Sequence, residues 1–575
     1  MRTFKKQSDN ADCSFIKQIF TILFLLCFPI IISCSKDENE KKEIVGPSFS
    51  QEDIRHEENL NTYLHNNYSC VISSVIVTES SVKINGRYIG DGTFCLGEIP
   101  PYVDVMEVKR APYKISLVNS SFQIEIERFV EREGFLYDRL LSKWAVFKEG
   151  IDSDQLVSHA HYVDEIPVTQ YLTPLKLTSK KGLGGIIANQ YISDFALLNI
   201  SSATINVCIT HFMHLIPREG DIEYIYGGKS YYMDEGYLRN TLDVALLAAT
   251  KKRNISVAAI ILVEPAARCT DPELGKLLQH PDNDGGVYTM PNMTTPEAVN
   301  CYAAALDFLA KRYCTIGNRN GRISHWIMHN EVDGGKDWAN MGLKPVTVFT
   351  DTYVKSMRMC YNIVRQYDAH AEVFASFSHS WTEISNPEWY TCKEIIDILN
   401  MYSQAEGDFQ WALAYHSYAQ DLTNPCTWLD PNATYSMNTS FVTFKNLEVL
   451  NKWALAKENR YKGSIKRSIW LSEAGVNSRS YSDEDLQKQA AGFAYAWKKI
   501  NALEGIDGIQ WHNWFDNQVE GACLGLRKYL DATYNGEAKP VWSVFQKADT
   551  PAEDEYFEQF LPLIGIPDWN IIENF

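Results

Sequence analysis

From residue 182 onward, the chain alternates short apolar runs with longer amphipathic stretches. The runs are rich in Val, Ile, Leu, Ala and Trp and carry few charges, which is typical of strands buried on both faces of a parallel sheet. Eight runs are predicted as strands, in chain order: residues 184–188, 204–209, 255–263, 323–328, 372–377, 411–416, 468–475 and 508–512.

Between these runs, apolar side chains recur at steps of three and four residues, which predicts helices that cover the sheet. The predicted helices are residues 237–252, 295–314, 348–367, 392–401, 441–457 and 483–500. Eight βα units are the number that closes a (β/α)₈ TIM barrel, so the predicted fold class is α/β. An open doubly wound sheet is the alternative, but Gly182-Leu183-Gly184-Gly185 lacks the spacing of its phosphate-binding turn.

The region before the barrel has a different pattern. Short alternating or β-branched runs between residues 70 and 129 are separated by turns, which predicts a small β-sandwich-like domain over residues 62–178. A carbohydrate-binding module is one interpretation, and a structural domain packed on its neighbour is the favoured one. The barrel is predicted to span residues 179–548, and residues 549–575 are expected to pack on its surface.

The amino terminus has the pattern of a secretion signal. Basic residues precede an apolar run from Ile19 to Ile32, which is too short for a comfortable membrane span and fits a signal-peptide core. The run closes with Ile31-Ile32-Ser33-Cys34, which resembles the lipobox of bacterial lipoproteins. We therefore expect a signal peptide at residues 1–33, a lipid anchor on Cys34 and an acidic tether at residues 34–61. A plain secretory signal with an incidental cysteine is the alternative.

The expected location is the outer membrane or cell surface, facing outside the cytoplasm, because residues 35–40 (Ser-Lys-Asp-Glu-Asn-Glu) resemble the surface-export signal of certain bacterial lipoproteins. The net charge of −18 and the lack of a long basic run argue against nucleic acid as a partner. The aromatic content of 12% suits sugar faces, although large cores also use aromatic rings.

Cysteines and histidines do not indicate a metal site in the sequence. No CxxC pair or Cys/His cluster suggests zinc, so no metal and no cofactor are predicted. The set His325, His329, Glu331 and Asp333 is an unconvincing ligand set, since strand alternation sends neighbours to opposite faces. An oxidising compartment permits disulfides, and Cys70 with Cys95 is a candidate pair in the amino-terminal domain.

Two glutamates stand at the ends of predicted strands. Glu331 follows the fourth strand within His329-Asn330-Glu331-Val332-Asp333, and Glu473 closes the seventh. In a barrel, the carboxyl ends of the strands meet at one mouth, where such enzymes place their chemistry. Glycosidic bond cleavage needs two carboxyl groups that flank the bond, one as acid and one as nucleophile or base. We therefore predict that Glu331 and Glu473 face each other across a pocket.

This arrangement resembles clan A of the glycoside hydrolases, the retaining (β/α)₈ enzymes, over roughly residues 182–547. The longer motif, with Trp338 and Asn340 following, also resembles an uncharacterised family of bacterial surface lipoprotein hydrolases. The resemblance implies that Glu331 is the general acid/base and Glu473 the nucleophile. It also implies substrate-binding roles for Asn330, which would bond the sugar 2-hydroxyl, for His416, for Tyr418, which would hold the nucleophile, and for Trp511 as an aromatic floor.

Four further residues are predicted to line the substrate site: Asn206, Trp338, His379 and Asn477. The chain departs from the clan at the second strand, where many members place an Arg near the nucleophile. Here Asn206 and Thr210 stand in that region, and the next Arg is Arg218. The acid is expected to keep its proton through burial and a nearby negative nucleophile, and the nucleophile is expected to stay charged.

The sequence favours a surface glycoside hydrolase acting on a polysaccharide or oligosaccharide. A non-catalytic glycan-binding lipoprotein on the same scaffold is the alternative from another class. A serine esterase is disfavoured, since no Gly-x-Ser-x-Gly elbow followed by Asp and His is apparent.

Overall fold

The structure of this chain is a computed structural model that describes residues 48–251, 253–317, 319–384, 386–519 and 521–573. The predicted signal peptide, Cys34 and the first part of the predicted tether lie outside these residues. Over the ranges described, no helix combines the length and apolar character needed to cross a bilayer.

A helix replaces the second half of the predicted tether. Helix α1, Gln51–His65, begins at Ser50, whose hydroxyl oxygen accepts a hydrogen bond from the Asp53 backbone N–H. Its Leu60, Tyr63 and Leu64 side chains are buried. The prediction of a solvated tether up to residue 61 is therefore wrong from residue 51, because three apolar side chains at helical spacing give this segment a face to bury.

The amino-terminal region contains nine strands in antiparallel sheets, and these fit the additional β-domain of the predicted fold class. The strands are β1 Val71–Val77, β2 Ser81–Arg87, β3 Phe94–Ile99, β4 Ile115–Leu117, β5 Ser121–Glu127, β6 Phe129–Arg132, β7 Phe135–Asp138, β8 Lys143–Lys148 and β9 Gln155–Leu156. One sheet has the order β1-β2-β5 and another β4-β3-β8-β9, while β6 pairs with β7. The first two sheets share a core in which Val75, Ile84, Phe94 and Trp144 are buried.

Cys70 and Cys95 are both free thiols, so the candidate disulfide is wrong. Strand β3 alternates its side chains between two cores: Phe94 and Leu96 join the cluster that contains Cys70. Cys95 points the other way, into a cluster with Ile99 and Phe147. The period of two along β3 thus separates the two sulfurs.

A closed barrel of eight strands forms the rest of the chain and confirms the predicted fold class. Its strands are β10 Lys181–Leu183, β11 Ser202–Cys208, β15 Ser256–Leu262, β16 His325–Met328, β17 Val373–Phe377, β18 Trp411–Tyr415, β19 Ile469–Ala474 and β20 Gly508–Trp511. All neighbouring pairs are parallel, and β10 closes the ring by pairing with β11 and β20. A small antiparallel sheet follows β11, made of β12 Met213–His214, β13 Asp221–Tyr226 and β14 Lys229–Asp234.

Only the first barrel strand was predicted in the wrong place. It occupies Lys181–Leu183 rather than residues 184–188. A Cβ at Gly182 would stand 2.3 Å from Ser202 Oγ and 2.8 Å from the Ile509 carbonyl oxygen, so the neighbouring strands approach too closely for a side chain. At Gly185 the backbone turns into the left-handed region, with φ of 59°, and the strand has ended.

Helices connect the barrel strands and follow the last one, and the long helices cover the outside of the barrel. They are α2 Asp194–Leu197, α3 Ile209–Phe212, α4 Glu235–Tyr237, α5 Val244–Thr250, α6 Pro272–Leu278, α7 Pro296–Tyr313, α8 Gly335–Trp338, α9 Val346–Val364, α10 Cys392–Ala405, α11 Glu448–Leu455, α12 Asp483–Ala502, α13 Pro540–Lys547, α14 Glu553–Phe557, α15 Leu561–Ile564 and α16 Asn570–Glu573. The last three carry buried Phe557, Ile564 and Ile572, which join the outer core of the barrel.

A buried ion pair connects the amino-terminal region to the barrel. Lys143 Nζ in β8 donates to Glu406 Oε1, at the end of α10, over 2.6 Å. The Tyr63 hydroxyl of α1 donates to the same oxygen over 2.8 Å. Because the Lys143 and Glu406 side chains are 4% and 1% exposed, the carboxylate compensates a charge that water does not reach.

We expect Glu406→Gln to lower the free energy of unfolding by ~3–5 kcal/mol, since it leaves the Lys143 ammonium buried without a counter-charge. Chemical denaturation of the purified protein measures this change. Exposed Glu555 offers the matched Glu555→Gln control, expected to change stability by less than ~0.5 kcal/mol. Adding Lys143→Met should restore much of the loss, and an unchanged unfolding curve for Glu406→Gln alone would contradict the role of this pair.

Candidate active site

The end of β16 turns sharply and presents Glu331 to the barrel mouth. His329 and Glu331 both have φ of 35°, a left-handed conformation that non-glycine residues rarely adopt. The Glu331 backbone N–H donates to Ser376 Oγ of β17 over 3.1 Å, which holds the turn. Strain of this kind persists only where surrounding contacts impose it, and it concentrates at functional sites.

Two buried neighbours fix this turn. His329 Nδ1 donates to the Ile261 carbonyl oxygen, and its Nε2 lies 3.0 Å from Ser356 Oγ of α9. Burial lowers the pKa of His329 to about 4, so the ring is neutral. Asp333 accepts a hydrogen bond from the Ser378 backbone N–H over 2.8 Å, and burial followed by the Glu331 charge raises the pKa of Asp333 to about 6.

Glu473 reaches the same mouth from β19. The register of β19 against β20 shifts between Leu471 and Ala474, an irregularity that re-aims the side chains it contains. The Tyr418 hydroxyl donates to Glu473 Oε1 over 3.1 Å, as the resemblance implied for these two positions. His512 Nε2 lies 3.8 Å from the same oxygen.

His416 joins the two carboxylates into one cluster. Its Nδ1 donates to Glu331 Oε1 over 2.8 Å, and the His416 side chain is 1% exposed. Burial works against a charged ring, yet the negative charge of Glu473 and the hydrogen bond to Glu331 raise the pKa of His416 above 6.5. The two glutamates, 142 residues apart in the chain, therefore act on the same imidazole.

The electrostatics of this cluster favour an ionised Glu331 and a protonated His416. Burial opposes ionisation of Glu331, but the hydrogen bond from His416 and the nearby His379 and His512 lower the pKa of Glu331. This differs from the expected protonated acid, because the hydrogen bond from His416 and the nearby imidazoles outweigh burial in setting the pKa of Glu331. Within the Glu331–His416 pair, these shifts favour a proton on His416, one hydrogen bond away from the Glu331 carboxylate.

We expect His416→Gln to move the alkaline limb of the activity–pH profile to lower pH. In the native protein, the Glu331–His416 pair keeps one proton until the pH passes the raised pKa of His416, which lies above 6.5. Without the imidazole, Glu331 alone must hold the proton, and a carboxyl group loses it at lower pH than a histidine does. Initial rates of substrate hydrolysis, measured across a range of pH for the variant and the native protein, test this shift.

The matched control for this measurement is His370→Gln, at an exposed histidine outside the cluster. Its profile should follow that of the native protein. An alkaline limb that stays in place in His416→Gln would show that the pair does not supply the proton.

Trp511 does not form an aromatic floor, and that prediction is wrong. The ring is fully buried, its Nε1 donates to the Leu524 carbonyl oxygen, and it packs edge-on against Phe493 of α12 at a centroid distance of 5.2 Å. Alternation along β20 explains this: Gln510 points into the barrel, where its Nε2 donates to Ser202 Oγ, so Trp511 points outward.

His512 is the site residue that the sequence analysis missed. It follows Trp511 by one position, lies beside Glu473 and its charge acts on Glu331. The period of two provided the signal, since it places position 512 on the inward side once 511 points outward. The clan pattern has an Arg near the nucleophile, whereas in this chain the groups beside Glu473 are His512 and Tyr418. Arg218 instead donates to His214 and the Thr270 carbonyl oxygen.

Of the five other residues that were predicted to contact substrate, His379 alone joins the titratable groups around Glu331. His379 belongs to the cluster because it lowers the pKa of Glu331, although burial lowers the pKa of His379 and so disfavours its own charged form. Asn330 is half-buried between the two left-handed residues, and Asn206 is exposed on β11.

Half-buried Trp338 lies beside Tyr288 with ring centroids 6.3 Å apart. Asn477 is buried, and its Oδ1 accepts from the Cys523 backbone N–H over 2.8 Å, so it holds a loop rather than substrate.

A separate cavity of about 830 Å³ opens at the opposite end of the barrel and contains no part of this cluster. Its lining includes Lys180, His325, Glu372 and Trp470. Burial raises the pKa of Glu372 to about 7, and the Ser468 hydroxyl lies 2.9 Å from both of its oxygens. Residues at the amino-terminal end of barrel strands serve stability rather than catalysis, so the candidate active site is the cluster at the other mouth.

Solved structures similar to this chain include a family 39 glycoside hydrolase from Bacteroides cellulosilyticus WH2, 14% identical over 84% of this chain and 83% of that one, with a TM-score of 0.40. A β-D-glucuronidase of Dictyoglomus thermophilum is 13% identical over 83% and 68%, with a TM-score of 0.34. A GH5_18 protein from Streptomyces cattleya in complex with GlcNAc is 12% identical over 65% and 80%, with a TM-score of 0.39. Likeness at this level identifies neither reaction nor substrate.

No curated protein matches the chain. A family described as "Family of unknown function (DUF5722)" matches residues 173–572, which contain the whole barrel and both glutamates. Because this match spans well over half of the chain, the protein belongs to the DUF5722 family.

Proposed function

We propose that this protein is a glycoside hydrolase that cleaves a polysaccharide or oligosaccharide with Glu331 and Glu473. The observation that carries the proposal is that His416 and Tyr418, two residues apart after β18, hydrogen-bond Glu331 and Glu473 respectively at one mouth of a closed barrel. Two carboxyl groups in one mouth are the chemical requirement for hydrolysis of a glycosidic bond.

The proposed reaction is a double displacement that retains the anomeric configuration. Glu473 attacks the anomeric carbon while Glu331 gives a proton to the leaving oxygen, which breaks the glycosidic bond and leaves a sugar ester on Glu473. Glu331, now ionised, takes a proton from water, and the resulting hydroxyl displaces Glu473 from the sugar. The Tyr418 hydroxyl, 3.1 Å from Glu473 Oε1, supports the negative charge that this carboxylate needs before attack.

Because the electrostatics favour the proton on His416, the scheme needs a proton transfer to Glu331 before the glycosidic bond breaks. Glu331 must be protonated before the glycosidic oxygen leaves, and His416 Nδ1, 2.8 Å from Glu331 Oε1, is placed to supply that proton. Substrate that displaces water from the mouth lowers the local dielectric and makes the separated charges of the His416–Glu331 pair less favourable. Proton transfer to Glu331 then leaves both groups neutral, with the acid ready to act.

The proposed location is the cell surface or outer membrane, with the chain anchored by lipid on Cys34. The lipobox-like sequence before Cys34 and the acidic residues after it support this part of the proposal. A carbohydrate polymer outside the cell is the substrate that such a location offers.

The test is hydrolysis by the purified protein on a broad panel of glycans, followed by NMR of the first-formed product. A product with the anomeric configuration of the substrate is expected, and the opposite anomer would exclude the double displacement while keeping hydrolysis. Binding of glycans without cleavage of any would overturn the proposal in favour of a non-catalytic glycan-binding protein.

A further inference from the structure

Three metal-ligating side chains meet at the ends of β11 and β15, in a group that the hydrolysis scheme does not use. Cys208 ends β11, His211 lies in the short helix α3 that follows it, and Glu264 comes two residues after β15. One ligand atom from each lies within 4.8 Å of the other two. His211 Nε2 and Glu264 Oε2 are 3.1 Å apart.

We propose that Cys208, His211 and Glu264 form a Zn²⁺ site. Zinc accepts thiolate, imidazole and carboxylate ligands together, whereas Ca²⁺ and Mg²⁺ prefer oxygen alone. Zinc binds nitrogen and oxygen ligands at about 2.0–2.2 Å in a tetrahedral arrangement, which places two such atoms a little over 3 Å from each other. The His211–Glu264 separation fits that geometry. Three protein ligands leave a fourth position for water or another small ligand.

The surrounding groups orient the ligands as metal sites require. The Arg268 guanidinium lies 3.4 Å from Glu264 Oε1, which leaves Oε2 to face His211. The Tyr237 hydroxyl lies 3.5 Å from His211 Nδ1, and Thr210 Oγ1 lies 3.2 Å from Cys208 Sγ. Contacts of this kind fix the ring orientation and the carboxylate rotamer of metal ligands.

The geometry favours a cation over a nucleophilic cysteine. In a thiol–imidazole–carboxylate relay, the sulfur and the carboxylate occupy opposite ring nitrogens and so lie far apart. Here the sulfur and a carboxylate oxygen are within 4.8 Å of each other, as ligands of one ion are.

The site is reachable without unfolding the barrel. The side chains of His211 and Glu264 are 18% and 10% exposed, while Cys208 is buried beneath them. Two of the three ligands are therefore partly open to solvent in the folded protein.

The test is titration of the untagged, chelator-treated protein with Zn²⁺ by calorimetry, and with Co²⁺ by absorption spectroscopy. We expect one equivalent per chain, and with Co²⁺ a thiolate-to-metal band in the near ultraviolet together with the visible bands of tetrahedral cobalt. Cys208→Ser should remove the thiolate band and weaken Zn²⁺ binding by at least about 10–100-fold, since even supporting residues of metal sites cost that much. Glu264→Gln should weaken binding comparably while keeping the thiolate band at saturating Co²⁺.

Cys426→Ser is the matched control, since Cys426 is a half-buried free thiol outside the group. It should bind as the native protein does, and so should Glu331→Gln, which makes the result independent of hydrolysis. No Zn²⁺ binding by the native protein, or binding unchanged by Cys208→Ser, would overturn the proposal. If Cys208→Ser fails to fold, as judged by circular dichroism, His211→Gln at the more exposed ligand decides the question through loss of binding.

Discussion

Glu473→Gln is expected to lower kcat/KM by at least about 10⁴-fold, on the scale observed when a catalytic nucleophile is removed. The amide is nearly the same size as the carboxylate but has no charge with which to attack the anomeric carbon. The Tyr418 hydrogen bond can still form to the amide oxygen, so the fold should be preserved. Initial rates on the best substrate, together with an unfolding curve, measure both parts of this expectation.

The matched control is Glu372→Gln, the same exchange at a buried carboxyl group near the opposite end of the barrel. It should leave kcat/KM within a few-fold of the native value. A Glu473→Gln variant that folds normally and keeps a tenth or more of the native activity would contradict a nucleophilic role for this residue.

Glu331→Gln is expected to show a loss that depends on the leaving group. For natural glycosides, removing a general acid costs about 10²–10⁴-fold, because the departing alkoxide is left without a proton. Substrates with an acidic phenol as leaving group need no such proton, so their glycosyl-enzyme should still form and then accumulate. Kinetics with both substrate types, including the burst of released phenol, measure this difference.

Added azide distinguishes the role of Glu331 further. A small anion needs no general base, so it should restore turnover in Glu331→Gln with an activated substrate and give a glycosyl azide of retained configuration. Equal loss on natural and activated substrates, with no effect of azide, would contradict the assignment of Glu331 as acid/base. The same azide pattern in Glu473→Gln instead would exchange the two roles.

The barrel was predictable because its signals are local. Each strand is an apolar run long enough to be buried on both faces, and each outer helix has its own three- and four-residue period. Strand ends then located Glu331 and Glu473 without knowledge of contacts, since all carboxyl ends of a parallel barrel share one mouth. Tyr418, for which the family resemblance implied a contact with the nucleophile, lies 3.1 Å from Glu473.

The site predictions for β20 were wrong because a shift of one residue along a strand reverses the side of the sheet to which a side chain points. Trp511 and His512 are adjacent, and only the pairing of β20 shows that the tryptophan points to α12 while the histidine reaches Glu473. Helix α1 was not predicted, because its segment is mostly polar and its narrow apolar face, with Leu60 and Tyr63, becomes buried only in the folded protein.

By itself, the sequence determined the eight-stranded barrel, the β-rich region before it and the two glutamates at one mouth, because periodicity and strand ends are properties of short segments. Only the tertiary structure decided which groups surround those glutamates. His379, His416 and His512 come from three different strand ends and lower the pKa of Glu331, while the charges of Glu473 and Glu331 raise the pKa of His416. Cys208 and Glu264 likewise meet only when β11 pairs with β15. Electrostatic and ligand interactions depend on distances through space, and those distances exist only once the chain has folded.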